Sequence, residues 1–214
     1  MTRCKSLRKL RLAFTRRLGR LQRRVEALRT ASAPERDLVV SYTAIESLNA
    51  WRLFARSFYL SCAQNAITER KRRIAVVPSG LSKNDAVGLA VRCYRPSAQP
   101  NSAGLWDRRD EPIWHDPNVM MRVCKNVTCS VQTQIESAFS LGQSVFLHLP
   151  VFRNFFAHRN ELTCRAAKNI GPRYAIATYL SPAEILLSSR PQASDALIIE
   201  WLHEMRITSE FMCR

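Results

Sequence analysis

The sequence predicts an all-α protein, a bundle of five or more helices that begins with a basic amphipathic helix. Apolar residues recur at spacings of three and four in several separate segments, which is the period of one face of a helix. Residues that typically cap helix starts precede several of these segments, and no segment shows the strict alternation of a half-buried strand. With 214 residues, 46% of them apolar, the chain can bury a hydrophobic core. A helical bundle is the architecture that suits this pattern.

The first predicted helix carries most of the positive charge. Residues 1–30 hold eleven basic side chains and one acid, a net +10 of the chain's formal +16. The apolar residues of this helix form one stripe along it. Such a stripe favours packing on the rest of the chain or on a second copy, with the arginines in solvent or near phosphates. Contact with an anionic membrane and a mitochondrial targeting role are the alternatives. The apolar stripe consists of Leu7, Leu10, Phe14, Leu18, Leu21, Val25 and Leu28.

The next segments are a linker and a long helix. Residues 30–37 break the helical period, and the chain is therefore divided into a basic helical extension, 1–33, and a helical domain, 34–214. Residues 38–66 are predicted to form one long helix with a wide apolar face. A basic cluster at residues 69–73 follows, and it is interpreted either as the solvated end of a helix or as a phosphate contact.

Caps and breakers define the rest of the chain. Ser82 is predicted to cap a short helix, and residues 94–115, with three prolines and one glycine, are predicted to be an irregular insertion. A helix should start at Asp116-Pro117 and run to about residue 141. Three further helices are predicted: one that contains residues 150–160 and ends near residue 171, one capped by Ser181, and a last one that ends near Cys213.

Composition restricts the partners and the compartment. The excess of positive charge favours a polyanionic partner, and the chain lacks the apolar run of about 18 residues that a transmembrane helix needs. The seven cysteines include no Cys-x-x-Cys pair, which favours free thiols in a reducing cytoplasm. Neither a phosphate-binding glycine loop nor a paired-histidine metal motif is present, and we expect no cofactor and no metal site.

One short segment combines the residue types that cleave RNA. Arg153, Asn154 and His158 lie beside two phenylalanines on a predicted helix. Histidine can move a proton near neutral pH, and arginine presents a fixed charged fork to phosphate oxygens. Together they suit cleavage of an RNA phosphodiester by its own 2′-hydroxyl, without a metal ion. Because Arg153 and His158 are five residues apart, they point about 140° from each other on an ideal helix. They can converge only if the helix is distorted or if a second chain completes the site.

This Arg-Asn-x-x-x-His segment in an all-α chain resembles the HEPN superfamily, whose nuclease members carry Arg and His separated by four to six residues. The long helix around residues 46–61 is also similar to a helix of bacterial HEPN-like proteins. The resemblance implies a metal-independent endoribonuclease that forms a homodimer, so that two copies of Arg153, Asn154 and His158 line one cleft. It also implies a toxin or phage-defence role, with an antitoxin or another defence protein as a partner.

Three further arginines are candidate RNA contacts: Arg159 directly after the motif, and Arg52 and Arg56, which share one side of the long helix. The alternative function is a non-catalytic helical adaptor that binds nucleic acid or a protein through its basic face. A separate, purely structural interpretation makes Arg153 and His158 capped or hydrogen-bonded core residues that hold helices together.

Overall fold

The structure is a computed structural model and describes residues 6–127, 129–140 and 144–214, without the side chain of Arg29. Within those residues the fold is all-α, as predicted, and the only strand-like pairings are isolated bridges. Nine α-helices are found in this part of the chain: α1 Leu7–Glu26, α2 Ala33–Ala63, α3 Lys83–Arg92, α4 Pro117–Asn126, α5 Gln132–Ser140, α6 Ser144–His158, α7 Glu161–Lys168, α8 Pro182–Leu187 and α9 Leu197–Cys213.

The chain divides into two compact units. The first unit comprises Met1–Phe14, Trp51–Leu141 and Thr208–Arg214, and the second comprises Thr15–Ala50 and Gly142–Ile207. Helices α1, α2 and α9 each contribute residues to both units. These units do not coincide with the predicted division at residues 33 and 34.

The apolar stripe of α1 packs on the chain itself, which confirms the packing role expected from its spacing. Leu7 and Leu18 are fully buried, and Phe14, Leu21 and Val25 are nearly so. In the first unit the Phe14 ring stacks on Phe54, with ring centroids 4.7 Å apart. Burying this stripe stabilises the fold by about 1.5 to 3 kcal/mol for each large apolar side chain.

The linker predicted for residues 30–37 is wrong over most of its length, because α2 begins at Ala33. Ser32 starts this helix: its backbone N–H and its hydroxyl both donate to the Glu35 carboxylate at 2.9 Å. The Glu35 carboxylate thus accepts from the Ser32 backbone N–H at the helix start, which is one half of the capping-box pattern. From there α2 continues through the predicted long helix to Ala63.

The single helix predicted from Asp116 to about residue 141 is two helices in the structure. Asp116 caps α4 as predicted, but α4 ends at Asn126 and α5 begins at Gln132; residue 141 lies outside the described residues. Backbone pairing with a distant segment explains the break. Ser130 exchanges two hydrogen bonds with Ala75, and Val77 N–H donates to the carbonyl of Val127. The capping predictions for α3 and α8 are confirmed.

The insertion at residues 94–115 contains no helix and is tied to α2 by a buried ion pair. Arg56 donates two hydrogen bonds, of 2.5 and 2.6 Å, to the Glu111 carboxylate, whose side chain is only 3% exposed. The indole N–H of Trp114 donates to the same carboxylate at 2.8 Å. Burial of Glu111 acts to raise its pKa, but the hydrogen bonds from Arg56 and Trp114 outweigh it, so the pKa lies below its ordinary value.

Two findings concern the predicted compartment. The six cysteines that the structure describes are free thiols, and four of them are buried. No helix in the described ranges has both the length and the apolar character needed to cross a membrane. The cytoplasmic localisation itself stays a prediction.

We expect Glu111→Gln to lower the free energy of unfolding at neutral pH by about 1 to 3 kcal/mol, because a buried charged hydrogen bond is lost. The depressed pKa of Glu111 means that its stabilising contribution is present above pH 4.5, its unfolded value, and is lost as the pH falls through the lower folded value. The difference in the free energy of unfolding between wild type and variant should therefore become smaller below pH 4.5. Urea denaturation at several pH values measures this difference. Glu161→Gln, an exposed control, should show no such difference.

Candidate functional site

Helix α6 presents the candidate motif on its outer side. Its apolar residues, among them Phe152 and Phe156, are buried, and their ring packing orients the helix in the second unit. Phe152 meets Trp201 edge to face, with ring centroids 5.7 Å apart. Phe156 is buried, while Phe155 is half-buried with its ring 5.1 Å from that of Phe156. The side chains between these anchors face solvent.

Helix α6 ends directly after His158, which corrects the prediction of one helix to residue 171. Arg159 has φ +44°, in the left-handed region that closes many helices, and its N–H still donates to the Phe155 carbonyl at 2.6 Å. Asn160 then caps a new helix, α7, by accepting from the Thr163 N–H at 2.9 Å. The Asn160-x-x-Thr163 pattern is the sequence signal for this second start.

The three motif residues Arg153, Asn154 and His158 are all exposed. Within the described part of the chain none of the three side chains makes a hydrogen bond or an ion pair. The structure therefore disagrees with the alternative in which Arg153 and His158 are hydrogen-bonded core residues. Groups that are exposed and unpaired are available to an external ligand or to a second chain.

The geometry of α6 brings together only part of the motif. Asn154 and His158 are four residues apart and share one face of the helix. Arg153 and His158 lie on the same uninterrupted helix, so the five-residue spacing places them about 140° apart around its axis. Of the two ways in which these residues could converge, a distortion of the helix between them is absent.

The two histidines of α6 have opposite environments. His148 is half-buried, its Nδ1 lies 2.6 Å from the Tyr174 hydroxyl, and its ring meets that of Trp201. Burial, aided by the nearby charge of Arg173, lowers the pKa of His148 below its ordinary value. His148 therefore has a packing role, whereas His158 at the end of the same helix contacts no hydrogen-bonding partner in the described residues.

The three arginines predicted to contact RNA have different surroundings. Arg159 donates to Asp37 at 2.7 Å and to the Ser41 hydroxyl at 2.9 Å, with its side chain half exposed. Arg56 is engaged by Glu111, and Arg52 is exposed; both belong to the first unit, whereas the motif belongs to the second. Their RNA contacts stay predictions. The ion pairs show that Arg56 and Arg159 also stabilise the fold.

A cavity of about 550 Å³ adjoins the end of α6 and was not predicted. Phe155 and Arg159 line it on one side, and Arg165 and Lys168 of α7 line it on another. Arg165 pairs with the exposed Glu161 at 2.9 Å, an i,i+4 pair that is weak in water. The sequence signal for this basic lining was the spacing of Arg165 and Lys168, which places both on one face of α7.

No protein-family model, curated protein or solved structure matches this chain. The described residues also contain no group of three or more His, Cys, Asp or Glu side chains placed to hold a metal ion.

The exposure of the motif makes a clear prediction for stability. Arg153→Ala and His158→Ala should each change the free energy of unfolding by no more than about 0.5 kcal/mol, as expected for unpaired surface side chains. Phe156→Ala, two residues from His158, should cost about 3 to 5 kcal/mol because Phe156 is only 6% exposed. Chemical denaturation of the three variants measures these differences. A loss above about 2 kcal/mol for His158→Ala would contradict the exposed position.

Proposed function

We propose that the chain is a metal-independent endoribonuclease whose site is formed by Arg153, Asn154 and His158 of two copies. The observation that carries the proposal is the exposure of all three motif side chains, which have no partner among the described residues, on a helix held by the buried Phe152 and Phe156. A surface histidine and arginine held on a rigid helix meet the needs of proton transfer and of phosphate binding.

The proposed reaction is transesterification within the RNA strand. The 2′-hydroxyl oxygen attacks the adjacent phosphorus, its proton passes to one His158 imidazole, and the bond from phosphorus to the 5′-oxygen breaks. That 5′-oxygen takes a proton from water, so the products are a 2′,3′-cyclic phosphate and a 5′-hydroxyl. Arg153 stabilises the negative charge that grows on the phosphoryl oxygens. Asn154, on the same helix face as His158, orients that imidazole or the phosphate.

A second copy is part of the proposal because one helix holds Arg153 and His158 about 140° apart. A second α6 helix packed beside the first could supply its Arg153 on the side of the first helix where His158 lies. The outer side of α6 suits such a contact: Leu147 is 57% exposed and the half-buried Val151 follows it, at the spacing that leads on to Asn154 and His158. Exposed apolar residues in line with the motif support a protein–protein contact at this place.

We expect the purified protein to cleave single-stranded RNA in the presence of EDTA and to leave 2′,3′-cyclic phosphate ends. His158→Ala should lower the cleavage rate about 100- to 10,000-fold, the usual contribution of a general acid or base. Arg153→Ala should lower it about 100- to 1,000-fold, through loss of charge stabilisation. Gel electrophoresis of an end-labelled RNA, with mass spectrometry of the ends, measures both rate and product.

Two variants in the second unit serve as matched controls: His203→Ala and Arg36→Ala remove exposed side chains of the same types and should cleave like wild type. If His158→Ala cleaves as fast as His203→Ala, the proposal fails. The absence of cleavage by any of these proteins would favour the non-catalytic adaptor instead. The toxin or phage-defence role that the resemblance implies remains a separate prediction.

Complementation tests whether two copies share one site. Arg153→Ala and His158→Ala are each expected to be inactive, but a mixture that exchanges subunits should regain part of the wild-type rate, because one mixed site then holds an intact Arg153 and an intact His158. Light scattering on a sizing column should show a dimer. A monomer that cleaves RNA, or a mixture that stays as inactive as its parts, would rule out the shared site.

A further inference from the structure

A second basic feature lies in the first unit, at residues 69–73, which we call the arginine turn. It is a tight turn beyond the end of α2, so the sequence-based interpretation as a solvated helix end is wrong. Thr68 organises it: the Thr68 N–H donates to the Arg72 carbonyl at 2.9 Å, and the Lys71 N–H donates to the Thr68 carbonyl at 3.1 Å. Lys71 has φ +60°, the left-handed conformation that such a turn needs.

The arginine turn is fixed to the rest of its unit on several sides. Its Glu69 N–H donates to the Cys213 carbonyl at 2.9 Å, and the Glu69 carboxylate pairs with Arg11 at 2.5 Å. The strand-like bridge between Ile67 and Arg73 leads into Ile74, which is buried. A backbone held in this way has little conformational entropy left to lose on binding.

Three arginines of the turn line a cavity of about 520 Å³ that we call the arginine groove. Arg70, Arg72 and Arg73 form one wall, and α5 supplies polar side chains, among them Thr133 and Ser137, to another. Phe211 of α9 and Arg214, directly after that helix, also line the groove. Every one of these residues belongs to the first unit, so the groove is complete within it.

The positive charge of the groove is only partly compensated. Arg214 pairs with Glu210 at 2.6 Å, but in the described part of the chain the side chains of Arg70, Arg72 and Arg73 have no carboxylate partner. All three are exposed. Three like charges held close together on a rigid turn repel one another, and an anion that binds between them relieves this repulsion.

The groove also offers a stacking platform. The guanidinium of Arg214 lies over the Phe211 ring, 4.5 Å from its centroid. Guanidinium planes and aromatic rings are the surfaces on which unpaired nucleobases stack in complexes with single-stranded RNA. Several phosphate-binding arginines beside such a platform match a strand of alternating phosphates and bases better than they match a single phosphate ion.

We propose that the arginine groove binds the backbone of single-stranded RNA, with Arg70, Arg72 and Arg73 on phosphates and the Arg214–Phe211 pair under a base. This deepens the proposed function, because it names a second place on the chain where an RNA substrate is held. Binding is independent of cleavage, so the groove can be tested on protein that does not cut RNA.

The test measures binding of a fluorescein-labelled single-stranded RNA of mixed sequence to His158→Ala protein by fluorescence anisotropy over a range of salt concentrations. Adding Arg70→Gln, Arg72→Gln and Arg73→Gln should weaken binding about tenfold or more and should lower the slope of log K against log salt by about 2, since each contact with single-stranded RNA contributes ~0.7. A matched control changes Lys83, Arg108 and Arg109 to Gln, which removes the same charge from exposed positions of the same unit.

The outcomes separate this proposal from the nuclease proposal. Loss of affinity and slope in the groove variant alone supports the groove, whether or not wild type cleaves RNA. Equal losses in the groove variant and the control variant overturn it, since the effect is then one of net charge. Labelled polyglutamate that binds the groove while RNA does not would also overturn it, in favour of an acidic protein segment. Circular dichroism melting of each variant shows that it is folded.

Discussion

The candidate site depends on how α6 ends. Arg159 lies in the left-handed region, which costs a residue other than glycine about 1 to 2 kcal/mol, and local contacts offset that cost. Its guanidinium binds Asp37 and Ser41, and Asn160 starts the next helix at once. If the helix continued instead, His158 would lie in a helix interior and the basic cavity between α6 and α7 would not exist. The position of the histidine at the end of a helix therefore follows from one strained residue and the partners that hold it.

The same helix is the reason that the proposed function includes a second copy. An α-helix fixes the angle between positions five apart, and nothing in α6 between Arg153 and His158 distorts it. In a monomer, the proposed phosphate-binding group, Arg153, and the proposed proton-transfer group, His158, therefore lie on different sides of α6. In the proposed dimer a second copy supplies the Arg153 that works with His158 of the first, and the exposed Leu147 and the half-buried Val151 lie on the same face of α6 as His158. The proposed dimer follows from helix geometry as well as from the family resemblance.

Local signals in the sequence predicted local structure well, and long-range contacts account for most of what was missed. The caps at Ser82, Asp116 and Ser181 act within three residues, and each is confirmed. The break between α4 and α5 depends on Ser130 pairing with Ala75, 55 positions away, which no periodicity can reveal. The early start of α2 and the Asn160 cap were readable as capping patterns, but the apolar period was given more weight. At the site, the residue types and helix face were predictable from the sequence, whereas exposure and the lack of partners were not.

The arginines show why net charge is a poor guide to function in this chain. The sequence presents them as one polycation, concentrated in the first 30 residues. The structure sorts them by their partners. Those that hold the fold are paired with a carboxylate: Arg11 with Glu69, Arg17 with Glu46, Arg56 with Glu111 and Arg159 with Asp37.

Four other arginines have no carboxylate partner in the described residues: Arg70, Arg72, Arg73 and Arg153. Each lies beside a feature suited to RNA, which is a stacking platform for the first three and an exposed histidine for the last. An arginine whose charge is already paired gains little from a phosphate, since it must first leave its carboxylate. Arg70, Arg72, Arg73 and Arg153 are therefore the arginines on which the proposed RNA recognition should depend.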